Sequence, residues 1–283
     1  MTLPNPRFWL GEPPEPGVPD LIPGLLKRHA RLLITGETNV GKTLVGLELA
    51  YTLLTGEPLW GSLVPTHSVA QITYVMGEHD KEYLKEQWAL LGLTAPEGFW
   101  VLPPPGKRLV ARGDTMVGHQ ELYRQWCQGS GVVIFDPLGA FASGQDVEND
   151  NALMRSAIDA MEIVAAPGAL VVLAHMGKPT FDPKEGRFKR RESYATRGGS
   201  AIEDAVTECF YMEKDPEHDA YLLRRRKYKG QAPHFYRLSR DAVSLRHTLI
   251  AKGLTDAEKR DLKSKAGAAG GRPLGKHTAA HSG

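Results

Sequence analysis

The sequence has few of the features that mark an exported, membrane-spanning or metal-stapled protein. Only two of its 283 residues are cysteine. Cys127 and Cys209 are far apart and have no metal-ligand spacing, which excludes a disulfide framework or a zinc knuckle and suits a reducing cytosol. No stretch approaches the roughly 18 consecutive apolar residues of a membrane span. The opening MTLPNPRFWLGEPPEPG has no apolar core of signal-peptide length. The expectation is a cytoplasmic protein with no membrane partner. An excess of either charge is also missing, because 35 Lys and Arg face 33 Asp and Glu for a formal net charge of +2. Total charge therefore does not single out a nucleic-acid binder, and its distribution has to be read instead. Hydrophobic residues at 41% and charged residues at 24% are ordinary for a globular chain, which excludes collagen, coiled coil and wholesale disorder.

Length allows one large α/β domain with a substantial core. Seven of the 20 prolines lie between Pro4 and Pro23, removing backbone donors, so residues 1–20 read as an extended arm. At the other end, SKAGAAGGRPLGKHTAAHSG has too little apolar content to repay ordering entropy. Residues 263–283 are expected to form a disordered basic tail, preceded by a short helix with Thr255 and Glu258 as a capping box. Between them, residues 21–262 alternate buried apolar runs with helical patterns. RLLIT, QITYVM, GVVIFD and ALVVLAH read as strands. KTLVGLELAYTLLTG, KEYLKEQWALL and NALMRSAIDAMEIV read as helices, so βαβ units and a mostly parallel sheet are predicted. After Ala201 the shorter runs VTECFYME, DAYLLRRRK and PHFYRLS predict antiparallel strands extending that sheet.

Residues Gly36, Glu37, Thr38, Asn39, Val40, Gly41, Lys42 and Thr43 spell G-x-x-x-x-G-K-T between a strand and a helix. Glycines let the backbone curl its N–H groups around phosphate oxygens, and the helix start adds partial positive charge. This pattern predicts a nucleotide site for ATP and Mg²⁺. Lys42 reaches the β- and γ-phosphates and Thr43 serves the metal. A second carboxylate for the metal is expected on a neighbouring strand, and Asp136 ends GVVIFD in that position. Glu78 ends YVMGE, predicted as the strand next to the phosphate-loop strand, and is the candidate to orient attacking water. His79 reads as a surface neighbour. His175 closes ALVVLAH and is the candidate sensor of hydrolysis.

Two basic blocks follow. Between Met176 and Ser200 there are seven Lys or Arg and three acids, in a long polar loop leaving His175. Lys184, Arg187, Lys189, Arg190 and Arg191 are candidates for binding a nucleic-acid backbone, with Phe181, Phe188 and Tyr194 able to stack on unpaired bases. From Leu222 to Arg240 there is no acid at all. Arg226, Lys227 and Lys229 are candidates for a cation acting on the site of an adjacent subunit.

GETNVGKT, YVMGEHD, VVIFDPLGAF, VVLAHMGKP, TRGGSAIEDAV and KYKGQAPHF, in that order, resemble the RecA-like ATPases, particularly the RepA-type hexameric helicases of broad-host-range plasmids and their phage relatives. The resemblance covers roughly residues 20–240. It implies a RecA-like core and a homo-oligomeric ring with ATP at its interfaces. It also implies Glu78 as catalytic carboxylate, Asp136 near Mg²⁺, His175 as sensor, and a basic residue near Lys227 acting in trans. The loops after Leu138 and after His175 would line a channel for single-stranded DNA. The first of these carries Asp146, Glu148 and Asp150, which leaves the cationic contact to residues 184–191. The function expected is an ATP-dependent DNA helicase or translocase in plasmid or phage replication, with a replication initiator or primase as possible partners. The alternatives are a helicase loader or ATPase switch of the same fold, and a recombination-type filament.

Overall fold

The computed structural model describes residues 20–103, 108–111, 114–143, 150–175, 180–182, 187–189, 200–228 and 232–269. It opens with a small hairpin, β1 (Asp20–Ile22) and β2 (Leu26–Lys27), and enters the core at β3 (Arg31–Gly36), followed by α1 (Lys42–Thr55). Then come β4 (Ile72–Met76), α2 (Lys81–Leu90), β5 (Phe99–Leu102), β6 (Val110–Ala111), β7 (Asp114–Thr115) and α3 (Val117–Trp126). The second half contains β8 (Val132–Asp136), a 3₁₀ turn at Leu138–Phe141, β9 (Ala142–Ser143), α4 (Asn151–Ala165), β10 (Ala169–His175), β11 (Thr180–Asp182) and β12 (Arg187–Lys189). It ends with α5 (Ser200–Ala205), β13 (Glu208–Asp215), β14 (Ala220–Lys227), β15 (Phe235–Arg240), β16 (His247–Lys252) and α6 (Asp256–Ala269).

Nine strands form one sheet in the order β16-β15-β14-β13-β3-β10-β8-β4-β5. The strands from β13 to β5 run parallel, whereas β14, β15 and β16 are added antiparallel. This is the mixed sheet of a RecA-like ATPase fold. Strand alternation sends Leu32, Ile34, Ile134, Val171 and Leu173 into one apolar cluster with α1. Leu33, Val133, Phe135, Leu170 and Val172 join the opposite cluster with α4 and α5. Strands covered on both faces have no polar face to show, which is why the sequence reads there as continuous apolar runs.

Several expectations need correction. The strand carrying Glu78 is not next to the phosphate-loop strand, since β3 pairs with β10 and β13, and β4 lies beyond both β10 and β8. Sequence order cannot reveal that a later strand inserts between two earlier ones. For the same reason Asp136 is two strands from β3 rather than on its neighbour. The polar loop after His175 contains a two-stranded antiparallel ribbon, with Phe181 opposite Phe188 and Asp182 opposite Arg187. The capping box closes as expected, Thr255 N donating to Glu258 Oε2 at 2.6 Å and Glu258 N to Thr255 Oγ1 at 3.2 Å. The helix it starts runs to Ala269, so the boundary expected at residue 263 falls inside α6. The arm (1–19) and residues 270–283 lie outside the described residues.

Candidate functional site

The turn between β3 and α1 is built by backbone conformations that the sequence supplies. Asn39 and Gly41 take positive φ of 63° and 105°, and a Cβ on Gly36 would stand 2.3 Å from the Met212 carbonyl oxygen. Helix α1 begins at Gly41 with no side-chain hydrogen bond at its cap. Helices α2 and α4, in contrast, are capped by Asp80 on Tyr83 N at 2.8 Å and by Asp150 on Leu153 N at 3.0 Å. An uncapped start leaves backbone donors and partial positive charge for an anion. Lys42, 5% exposed, folds its ammonium into the loop and donates to Gly36 O at 3.1 Å and Glu37 O at 2.7 Å.

The carboxyl ends of β4, β8 and β10 converge beside this loop. Met76 is level with Asp136 across β4 and β8, and His175 is level with Gly36 across β10 and β3. Although β10 intervenes, Thr43 Oγ1 donates to Asp136 Oδ2 at 2.7 Å. The same oxygen accepts a 2.6 Å bond from the Tyr74 hydroxyl. Burial, then the neighbouring Asp136 charge, hold the Tyr74 hydroxyl well above its ordinary pKa, so it remains a proton donor to Asp136. Thr43, Tyr74, Met76, His79, Tyr83, Leu84 and Asp136 line one cleft. Glu78 stands at its edge, its side chain 47% exposed, with Oε2 at 3.6 Å from His175 Nε2. His175 Nδ1 is buried and has no hydrogen-bond partner among the described residues. Glu78 is therefore drawn toward His175, while Asp80 two residues later does the helix capping.

The hydroxyl of Thr43 and the carboxylate of Asp136 are hard oxygen donors already side by side, a donor set that fits Mg²⁺ better than a soft metal. Together with the uncapped α1 start and the ammonium of Lys42, they fit a magnesium nucleotide. The remaining site candidates lie elsewhere. Lys227 is level with Cys209, itself level with Leu33, so it sits toward the amino end of β3, away from the phosphate loop. Its ammonium donates to Glu203 O at 3.0 Å, and Arg226 lies 3.9 Å from the Glu203 carboxylate. Arg187 and Lys189 are placed on β12. Lys184, Arg190, Arg191 and Lys229 are outside the described residues.

Sequence reading missed Tyr74 as a partner of Asp136. Its signal is only the two-residue spacing from Met76 on the strand that ends near Glu78. It also missed that Arg240 and His247 approach the loop, for a Cβ on Gly41 would lie 3.1 Å from Arg240 Nη1 and 3.7 Å from His247 Nε2. No local pattern marks these two residues.

Fold and site together define a P-loop ATPase with a RecA-like core. A family model described as "AAA domain" matches residues 6–180, and the chain belongs to that family. The solved ATPase domain of a phage replicative helicase is similar in fold, with a TM-score of 0.57 over 79% of this chain and 85% of that one at 11% sequence identity. No curated protein matches the sequence. Among the described residues no helix is long and apolar enough to cross a membrane.

Proposed function

We propose that the protein is a ring-forming, ATP-dependent helicase or translocase on single-stranded DNA. The observation that carries the reading is the convergence of Thr43, Asp136, Glu78 and His175 at one edge of the sheet, with a basic ribbon leaving directly after His175. Bound Mg·ATP supplies an electrophilic γ-phosphoryl group with its charge partly neutralised. The residues of the chain do the rest. Backbone N–H groups of the loop and Lys42 hold the phosphates, while Tyr74 keeps the Asp136 carboxylate turned toward Thr43. Glu78 Oε2 orients a water and takes up its proton as the water's oxygen attacks. His175, within reach of Glu78 and one step from the ribbon, couples the state of the site to residues 180–191. Arg226, Lys227 or Lys229 would serve the neighbouring protomer's site, and the arm would wrap a neighbour.

The test is a forked-duplex unwinding assay with 5′- and 3′-tailed controls, run beside single-strand binding over a salt series. DNA-stimulated turnover with unwinding is expected. Replacing Arg187, Lys189, Arg190 and Arg191 by Ala should weaken binding and flatten its salt dependence, by a log–log slope of up to about 3 for four lost phosphate contacts on a single strand. Unaltered affinity at every salt concentration would remove the ribbon from the interface. Turnover that depends on a protein partner, without strand separation, would favour a loader or switch.

A further inference from the structure

The far side of the phosphate loop carries a second constructed wall. Arg240 ends β15 and His247 begins β16, and the two are directly opposite across the strand pair. The turn joining them is locked by its own bonds, with Val243 N, Ser244 N and Ser244 Oγ all donating to Asp241 Oδ1 at 3.0, 2.6 and 2.9 Å. Its position against α1 is set by Glu48, a buried carboxylate that accepts from His247 N at 2.6 Å and Trp60 Nε1 at 3.1 Å and lies 2.8 Å from His247 Nδ1. With Nδ1 held, His247 turns Nε2 toward Gly41. That nitrogen is buried without a hydrogen-bond partner among the described residues, in a residue only 4% exposed. Arg240 lies over the Tyr221 ring, 4.3 Å from its centroid. Among the described residues its side chain has no carboxylate partner and no hydrogen bond. A half-buried guanidinium and a buried imidazole nitrogen, both unsatisfied, therefore flank one glycine of a loop shaped for anions.

The sheet order decides which part of a nucleotide they face. Asp136, Glu78 and His175, which attend the reacting phosphate, are all on the β10, β8 and β4 side of β3, whereas Arg240 and His247 belong to strands on the β13 side. A polyphosphate whose terminal group lies toward the first side has its nucleoside end toward the second. We propose that Arg240 and His247 form the nucleoside-side flank of the site within the same protomer. Arg240 contacts the α-phosphate and His247 Nε2 the ribose, with Glu48 and Tyr221 as positioning residues. This rests on the nucleotide-binding reading above and assigns residues that the phosphate-loop motif does not contain.

Equilibrium binding of ADP and of ATPγS, both with Mg²⁺, to wild type, Arg240→Ala, Arg240→Lys, Glu48→Gln and Lys42→Ala tests the assignment. Arg240→Ala should weaken ADP and ATPγS equally, by about ten-fold or more for a lost charge-assisted contact, and Arg240→Lys should recover part of the loss. Its melting temperature without nucleotide should stay at the wild-type value, since no ion pair among the described residues is broken. Glu48→Gln should reduce the rise in melting temperature caused by ADP, whereas a purely structural role would lower the nucleotide-free value and leave that rise intact. Wild-type affinity in Arg240→Ala, with binding lost in Lys42→Ala, would overturn the flank and leave the proposed function standing. A loss confined to ATPγS would overturn the α-phosphate contact. A wild-type chain that binds neither nucleotide would overturn both readings.

Discussion

Glu48 and Glu208 are both buried carboxylates, and their surroundings differ. Glu48 has donors on both oxygens, whereas neither oxygen of Glu208, 1% exposed at the start of β13, has a hydrogen-bond partner among the described residues. Burial pushes the Glu208 carboxyl up from 4.5 to about 7, helped by Asp20, while the nearby Lys27 amide and ammonium pull the other way. The folded protein therefore holds a proton that the unfolded chain releases near 4.5. The stabilisation linked to this proton is fully present below that pH and is lost as pH rises through about 7. Urea unfolding from about pH 5 to pH 8 should show stability falling across the window. Glu208→Gln should flatten that fall and gain about 1–3 kcal/mol near pH 8 relative to wild type. A variant whose pH profile parallels wild type would mean that the carboxyl is not protonated at neutral pH. At this scale the phosphate loop was legible because its residues act within eight consecutive positions, and Tyr74, Arg240 and Glu208 were not, because their roles depend on distant neighbours.

The junction of β4 and α2 shows how an element presents a residue. Gly77 N donates to Asp136 O at 2.7 Å, which ties the end of β4 to the end of β8 just before Glu78. A Cβ at Gly77 would sit 2.2 Å from the Ala140 Cβ and 3.1 Å from Phe141 Cε2, so the strand end would have to move. Gly77→Ala should cost about 1–3 kcal/mol of stability, as overpacking does. It should also lower turnover more than nucleotide affinity, because Glu78 shifts while the phosphate loop stays. Denaturant midpoints and separate ADP-binding and ATPase measurements would show it. Equal losses of binding and turnover would place the damage at the loop instead. Most core strands and helices were legible from their apolar periods. The α6 boundary was not, because Ala and Lys continue a helix as readily as they populate a solvated tail. Strands β5 and β16, with burial patterns ieii and Beieie, lie at the two edges of the sheet, where half-exposed side chains weaken the apolar signal.

At the scale of the whole molecule, the proposal requires that neighbouring protomers complete each other's sites. Mixing wild-type with Glu78→Ala subunits should then reduce ATPase activity by more than the fraction of variant added, read from a dilution series at constant total protein. A linear decline would mean that the protomers work independently. The position of Lys227 toward the amino end of β3, engaged with the Glu203 carbonyl, gives this experiment added weight, since within one chain that residue does not approach its own phosphate loop.

By itself the sequence determined the class of chain, the phosphate loop, the order of strands and helices, and the strand-end positions of Asp136 and His175. Each follows from short-range spacing that one element can express alone. Tertiary structure decided that β10 and β8 separate β4 from β3, that Asp136 still meets Thr43 under the Tyr74 hydroxyl, and that the β15–β16 turn comes to rest against Gly41. Those contacts join residues up to about two hundred positions apart, as Glu48 and His247 do. No local period encodes them, because they form only when both faces of the sheet have found apolar cover.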